Sequence, residues 1–221
     1  MFGELVAMAR NFGGSRGGLI QMEGSVVYLA NVKRSALFKM QLRQSVGTGT
    51  FYASESPVNS ERIERRGERV LFEWKDKGNI RRVFVPDKKP FKEDVENALG
   101  ELHYSTTFKA PIETLDYIED GILVTQLRAN GNYLTINQKR SDRTVTMETK
   151  VKLSRGLAEE SNHPDSGKVS IFTQDLVGLK GFANSLMLGI VENQPVVLGG
   201  DLSFGGTFEG LIGNLTYEEA D

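Results

Sequence analysis

The chain contains no cysteine, which excludes disulfides and thiolate metal sites and suits a reducing compartment. Histidine is nearly as scarce, with only His103 and His163 present. His103 falls in a charged connector. His163 falls in a polar loop beside Pro164 and Asp165, and neither histidine has metal-ligand spacing to another ligand. No serine nucleophile elbow accompanies the His163–Asp165 pair. The carboxylates stand singly along strands and loops, so none forms a pair suited to acid–base work. No catalytic constellation emerges, no metal and no cofactor are expected, and a binding or scaffold protein is favoured over an enzyme. A hydrolase built on the His163–Asp165 loop is the weakest alternative.

Long hydrophobic runs are also missing. No window approaches the roughly 20 apolar residues of a membrane span. Residues 1–12 carry Glu4 and lack the apolar stretch of a secretory signal. The expectation is a soluble, intracellular, cytoplasmic protein with no membrane partner. Charge of one sign is lacking as well: 27 Lys and Arg face 29 Asp and Glu, for a net charge of −2. Nucleic acid would have to be met by local basic patches, not by a basic whole.

What is present is 39% hydrophobic residues in 221, enough for one large domain or two small ones. The order of elements repeats. Residues 5–12 read as a helix with Leu5, Met8 and Phe12 on one face, followed by strands at 18–22, 26–31 and 36–43. Residues 111–118 read as a helix with Ile112, Leu115 and Ile118 inward and Glu113 and Asp116 outward, followed by strands at 122–128, 133–138 and 144–153. Asn59 or Ser60 is placed to cap a short helix through Arg66, ahead of strands at 70–74 and 80–85. In the same order, a strand at 168–172 leads into a helix capped by Thr173, with Asp175 in its first turn. Leu176, Leu179 and Ala183 share a face of that helix. An antiparallel meander follows over 185–192, 195–198 and 207–215. The division is residues 1–86 and 105–221 as two similar domains, joined by a linker at 87–104. That connector is charged, opens with Pro86 and Pro90, and has no strand alternation. Phe91, Val95, Leu99 and Leu102 are nonetheless spaced as a short apolar stripe.

Two stretches bear on nucleic acid. The glycine-rich run 11–18 follows a helix and precedes a strand, the reverse of a phosphate cradle. Its plainer reading is a turn presenting Arg16. In a helix, Arg62, Arg65 and Arg66 fall at i, i+3 and i+4 and share one face. The competing account is a solvated face paired with Glu61 and Glu64.

The segments VVYLANVKRSALFKMQLRQS, ERVLFEWKDKGNIRRVFVPD and KVSIFTQDLVGLKGFANSLMLGIVENQPVVL, with the connector, cover most of the chain. In pattern and loop position they resemble a DNA sliding clamp of the proliferating cell nuclear antigen type, the shorter phage clamps included. The compact length looks viral, which would place the protein in a host cytoplasm. The resemblance implies an α+β fold of two similar domains, each with two helices against curved antiparallel sheets. It implies a head-to-tail homotrimeric ring around duplex DNA, with helices lining the hole and sheets outside. The implied role is DNA polymerase processivity factor. The implied partners are double-stranded DNA held without sequence readout, the polymerase, a clamp loader and other copies of the chain. By resemblance, Arg10, Arg16, Arg62, Arg65, Arg66 and Lys180 face DNA. Ala30, Leu37, Phe91, Pro195, Leu211 and Gly213 line a pocket for partner peptides. Ile80, Val83 and Val85 of one subunit meet Thr144, Val145 and Val151 of the next. The alternative is a β-rich viral structural or assembly protein with duplicated domains and no DNA contact. A monomeric clamp-fold regulator is a further one.

Overall fold

The computed structural model describes residues 1–12, 17–101, 107–130, 132–139, 146–155 and 167–215. Arg16, Thr144, Val145, His103, His163 and Asp165 lie outside the described residues.

The chain opens with helix α1 (Phe2–Asn11), which buries Phe2, Leu5, Val6, Met8 and Ala9. Strands β1 (Leu19–Glu23), β2 (Val26–Ala30), β3 (Ala36–Leu42) and β4 (Thr48–Tyr52) follow. A one-turn 3₁₀ segment, Ala53–Glu55, then leads into a three-stranded meander of β5 (Arg62–Arg66), β6 (Arg69–Asp76) and β7 (Asn79–Pro86). Helix α2 (Lys92–Glu101) stands in the connector. The second half holds β8 (Phe108–Ala110), a 3₁₀ turn at Ile112–Leu115, β9 (Val124–Asn130), β10 (Tyr133–Lys139), β11 (Thr146–Lys152) and β12 (Ser154–Arg155). It closes with β13 (Lys168–Phe172), helix α3 (Thr173–Val177), β14 (Leu186–Gly189), β15 (Val196–Asp201) and β16 (Gly206–Ile212).

Three antiparallel sheets result. Nine strands run in the order β12-β8-β14-β15-β16-β3-β2-β1-β4, four in the order β11-β10-β9-β13, and three in the order β5-β6-β7. The duplication is visible in the connections. The run β3-β2-β1-β4 has the same third-second-first-fourth order as β11-β10-β9-β13, and the meander β5-β6-β7 matches β14-β15-β16. The two halves are joined where β16 pairs with β3 over seven residues, Gly206↔Leu42 to Ile212↔Ala36.

Strand alternation gives the nine-stranded sheet two distinct faces. Ile20, Leu29 and Phe38 form one cross-strand row, and Met22, Val27, Met40 and Phe208 another. These rows are buried in the main core with α1. The opposite face carries the rows Leu19, Ala30, Leu37, Leu211 and Gln21, Tyr28, Lys39, Glu209. Helix α2 covers part of that face, with Phe91 and Val95 buried against Tyr28, Ala30, Leu37 and Leu211.

Three expectations require correction. No helix spans 59–66. Residues Arg62–Arg66 form β5, paired with β6 from Arg62↔Glu73 to Arg66↔Arg69. Gly67, at φ 59°, makes the tight turn between them. A helix there would have only Ile63 to bury, whereas the hairpin satisfies the backbone ladder and sets Ile63 opposite the buried Phe72. The helix expected over 111–118 is only a 3₁₀ turn, although Leu115 and Ile118 are buried and Glu113 and Asp116 are exposed as the pattern indicated. Thr173 does not cap α3. It is the first helical residue, and its buried hydroxyl bonds with Thr125 Oγ1 at 2.8 Å instead.

Candidate functional site

The outer face of the nine-stranded sheet is built to hold a helix. Gln21 on β1 places Oε1 where it accepts the backbone N–H groups of Phe91 at 2.6 Å and Lys92 at 2.9 Å. Two of the donors that a helix start leaves without intrahelical partners are thereby satisfied from the sheet. One turn on, the Tyr28 hydroxyl donates to Glu96 Oε1 at 2.7 Å, and Lys39 Nζ lies 3.8 Å from the same oxygen. Burial, reinforced by the Glu96 carboxylate, pushes the Tyr28 phenol well above its ordinary pKa. The rim adds ion pairs, Arg34 with Asp94 and Lys92 with Glu23. The hydrogen bond to Glu23 is the chief reason the Lys92 ammonium holds its proton more tightly than usual. These exposed pairs each contribute at most about 1 kcal/mol. Burial of Phe91 and Val95 supplies about 1.5–3 kcal/mol apiece.

The six residues expected to line a peptide pocket fall in this region in two groups. Ala30, Leu37, Phe91 and Leu211 are buried together under α2. Pro195, just ahead of β15, and Gly213, just after β16, are half-buried. Leu211 continues the apolar row to Val197 on β15. The residues that sequence reasoning missed are Gln21 and Tyr28, whose partners lie about 70 positions away in the chain.

The other face carries a helical layer stitched by side-chain to carbonyl hydrogen bonds. Arg10 on α1 donates to Ala53 O at 3.3 Å and Ser56 O at 3.2 Å. Gln174 on α3 donates to Asn11 O, and Lys180 donates to Ile118 O at 3.4 Å. Gly178 lets the Phe12 ring seat against α3, since a Cβ there would lie 2.6 Å from two ring carbons. Asp175 is buried beneath this layer and accepts from Asn31 Nδ2 at 2.8 Å and Ser35 Oγ at 3.1 Å. Burial raises its pKa, and these two hydrogen bonds partly offset the rise.

Of the residues expected to face DNA, Arg10 and Lys180 therefore belong to the helical layer. Arg62, Arg65 and Arg66 do not share a helical face. Arg62 and Arg66 both reach Glu64 along one side of β5, at 2.9 and 3.1 Å. Arg65 points the other way and pairs with Asp87. At the expected subunit contact, Ile80 and Val83 are exposed on the edge strand β7, as is Phe84, while Val85 and Val151 are buried. Among the described residues no group of three potential metal ligands occurs, and no helix is long and apolar enough to cross a membrane.

No family model matches the chain, and no curated protein sequence matches it either. Solved structures do. Proliferating cellular nuclear antigen from Entamoeba histolytica superposes with a TM-score of 0.65 at 10% identity, over 97% of this chain and 95% of that one. A chain of the PCNA2–PCNA3 complex from Sulfolobus tokodaii gives 0.63 at 11% identity, over 96% and 95%. A putative DNA polymerase III beta subunit from Eubacterium rectale gives 0.63 at 10% identity, over 98% of this chain and 63% of that one. The duplicated, sheet-rich architecture is thus that of a sliding clamp. Its near-complete coverage of the two nuclear antigen chains makes it the fold of the proliferating cell nuclear antigen type.

Proposed function

We propose that this chain is a DNA polymerase processivity factor, whose copies join head to tail into a homotrimeric ring around duplex DNA and tether the polymerase beside it. The observation that carries this is a pair of unmatched sheet edges. Within the chain, β16 pairs with β3. Their counterparts in the duplication, β7 and β11, each stand at the edge of a sheet. Repeating the internal pairing between copies would set β7 of one chain against β11 of the next, and would cover Ile80, Val83 and Phe84. A flat edge exposing such side chains is ordinarily protected or paired. A heterologous contact of this kind closes into a ring when the rotation allows. Light scattering coupled to size exclusion should give three times the 24.5 kDa chain mass at micromolar concentration. Val83→Pro should return the single-chain mass, because proline disrupts strand pairing. A wild-type monomer at that concentration rejects the ring.

In this proposal the helical layer faces DNA, with Arg10 and Lys180 near phosphates and no base readout. The domains 1–86 and 105–221 then form six repeats of the ring wall. Partner peptides dock on the outer face, in the apolar row running from Leu37 through Leu211 towards Pro195, with aromatic anchors. Lys180→Glu should preserve the trimer but weaken retention on nicked circular DNA at low salt.

One observation favours the second reading, an assembly protein without DNA contact. Arg10 and Lys180 direct donors to backbone carbonyls, while Glu4, Glu113 and Asp116 of the same side are exposed. A trimer that neither slides on DNA nor stimulates a polymerase would select that reading.

A further inference from the structure

We propose that α2 is a displaceable lid, and that the face beneath it is a receptor for an acidic amphipathic helix of a partner protein. The proposal deepens the peptide-docking reading above and rests on it. It begins with how lightly α2 is held. Of its ten residues only Val95 is buried, and Ala98 and Leu99 are half-covered. Its other attachments, Tyr28 excepted, lie at the exposed rim. A ten-residue helix is below the length that is stable alone in water. Leaving the sheet and losing helical structure are therefore one event, and such a segment opens locally, well short of global unfolding.

What α2 leaves behind is a site complementary to a helix. The floor is the apolar row Ala30, Leu37 and Leu211. Gln21 Oε1 is placed for first-turn N–H groups, and Tyr28 Oη with Lys39 Nζ for a carboxylate one turn further. An occupant must supply apolar side chains four residues apart and an acidic residue directly after the second. Phe91, Val95 and Glu96 supply that pattern now. While they do so, Tyr28 and Ala30 are 2% and 1% exposed, so a partner gains the floor only by replacing α2.

Two measurements test the lid. Hydrogen exchange on the intact protein should show the α2 amides opening faster than those of β2 and β3. Tyr28→Phe removes a hydrogen bond to a carboxylate and should speed α2 exchange roughly tenfold while leaving β3 unchanged. A single shared rate for α2 and the sheet in both proteins would mean that α2 opens only by global unfolding, and would overturn the lid. The second probe is a synthetic peptide of residues 90–101 of this chain, PFKEDVENALGE. It should bind the Val95→Asp variant, whose own α2 is expelled, and bind wild type at least tenfold more weakly. A Glu96→Gln peptide should bind the variant less well than the parent. Equal affinity for wild type and variant, or no binding to a folded variant, overturns the receptor. Neither arm uses a replication protein, so the lid and the docking of polymerase peptides fail or survive separately.

Discussion

Arg65→Ala should destabilise the chain, while Arg62→Ala and Arg66→Ala should not. Arg65 leaves β5 on the side facing β4. There its Nε pairs with Asp87, and Nη2 reaches Thr50 Oγ1 at 3.3 Å. Asp87 also accepts the Thr50 backbone N–H at 2.7 Å, so the arginine and carboxylate together tie β4 to the end of the β5-β6-β7 meander. The Asp87 side chain is 13% exposed and that of Arg65 is 38% exposed. A fully buried pair broken on one side costs about 3–5 kcal/mol, and an exposed pair at most about 1. Partial exposure of the arginine places this one at about 1.5–2 kcal/mol. For a chain of this length that lowers Tm by about 3–8 °C. Arg62 and Arg66, at 57% and 49% exposure and sharing Glu64, should each shift stability by no more than about 0.5 kcal/mol. Urea denaturation of the three variants measures the contrast. A double-mutant cycle with Asp87→Ala should return a coupling of about 1 kcal/mol. Equal stability of the Arg65 and Arg66 variants, or a coupling of zero, would refute the assignment. The triple charge reversal that would otherwise test DNA contact is thus not structurally neutral at its middle position.

Asp175→Asn should alter how stability responds to pH. Burial raises the Asp175 pKa above its ordinary value near 3.8, so its contribution to stability is full below that value and is lost as pH rises through the folded-state pKa. The unfolding free energy of the Asn variant minus that of wild type should therefore move in favour of Asn from about pH 4 upward, and a flat or opposite trend in urea melts would reject this. Gly178→Ala needs no unusual backbone but drives a Cβ into the Phe12 ring. It should cost about 1–3 kcal/mol by overpacking, and a neutral result would show that α1 and α3 separate easily.

Much of the strand framework was legible in the sequence. Residues 70–74 and 80–85 lie inside β6 and β7, and 26–31 and 36–43 match β2 and β3 to within a residue, because alternation and turn residues mark their limits. The arginine helix was misread because any dense run of arginines satisfies helical spacing, while the informative residue, Ile63, stands alone. The stripe Phe91, Val95 and Leu99 was visible, but not what it covers. VVYLA is apolar on both faces of β2, so nothing local says that Tyr28 and Ala30 point away from α1. Gln21 and Tyr28 acquire a role only through residues about 70 positions away, a relation that periodicity does not record. Arg10 and Lys180 were found through their places on or beside helices, but their backbone partners were not.

The seam between β3 and β16 decides where a ring of such chains could come apart. Bending one chain at its middle would strip seven cross-strand pairs and separate Phe38 from Phe208, whose rings lie 6.4 Å apart in the core. Parting two copies would require only that β7 release its neighbour. Each chain then behaves as a stiff arc segment, and strain applied to the circle concentrates at the joints. A loader acting on this ring would work as a wrench on one joint, and the arc itself would pass through opening and closing unchanged.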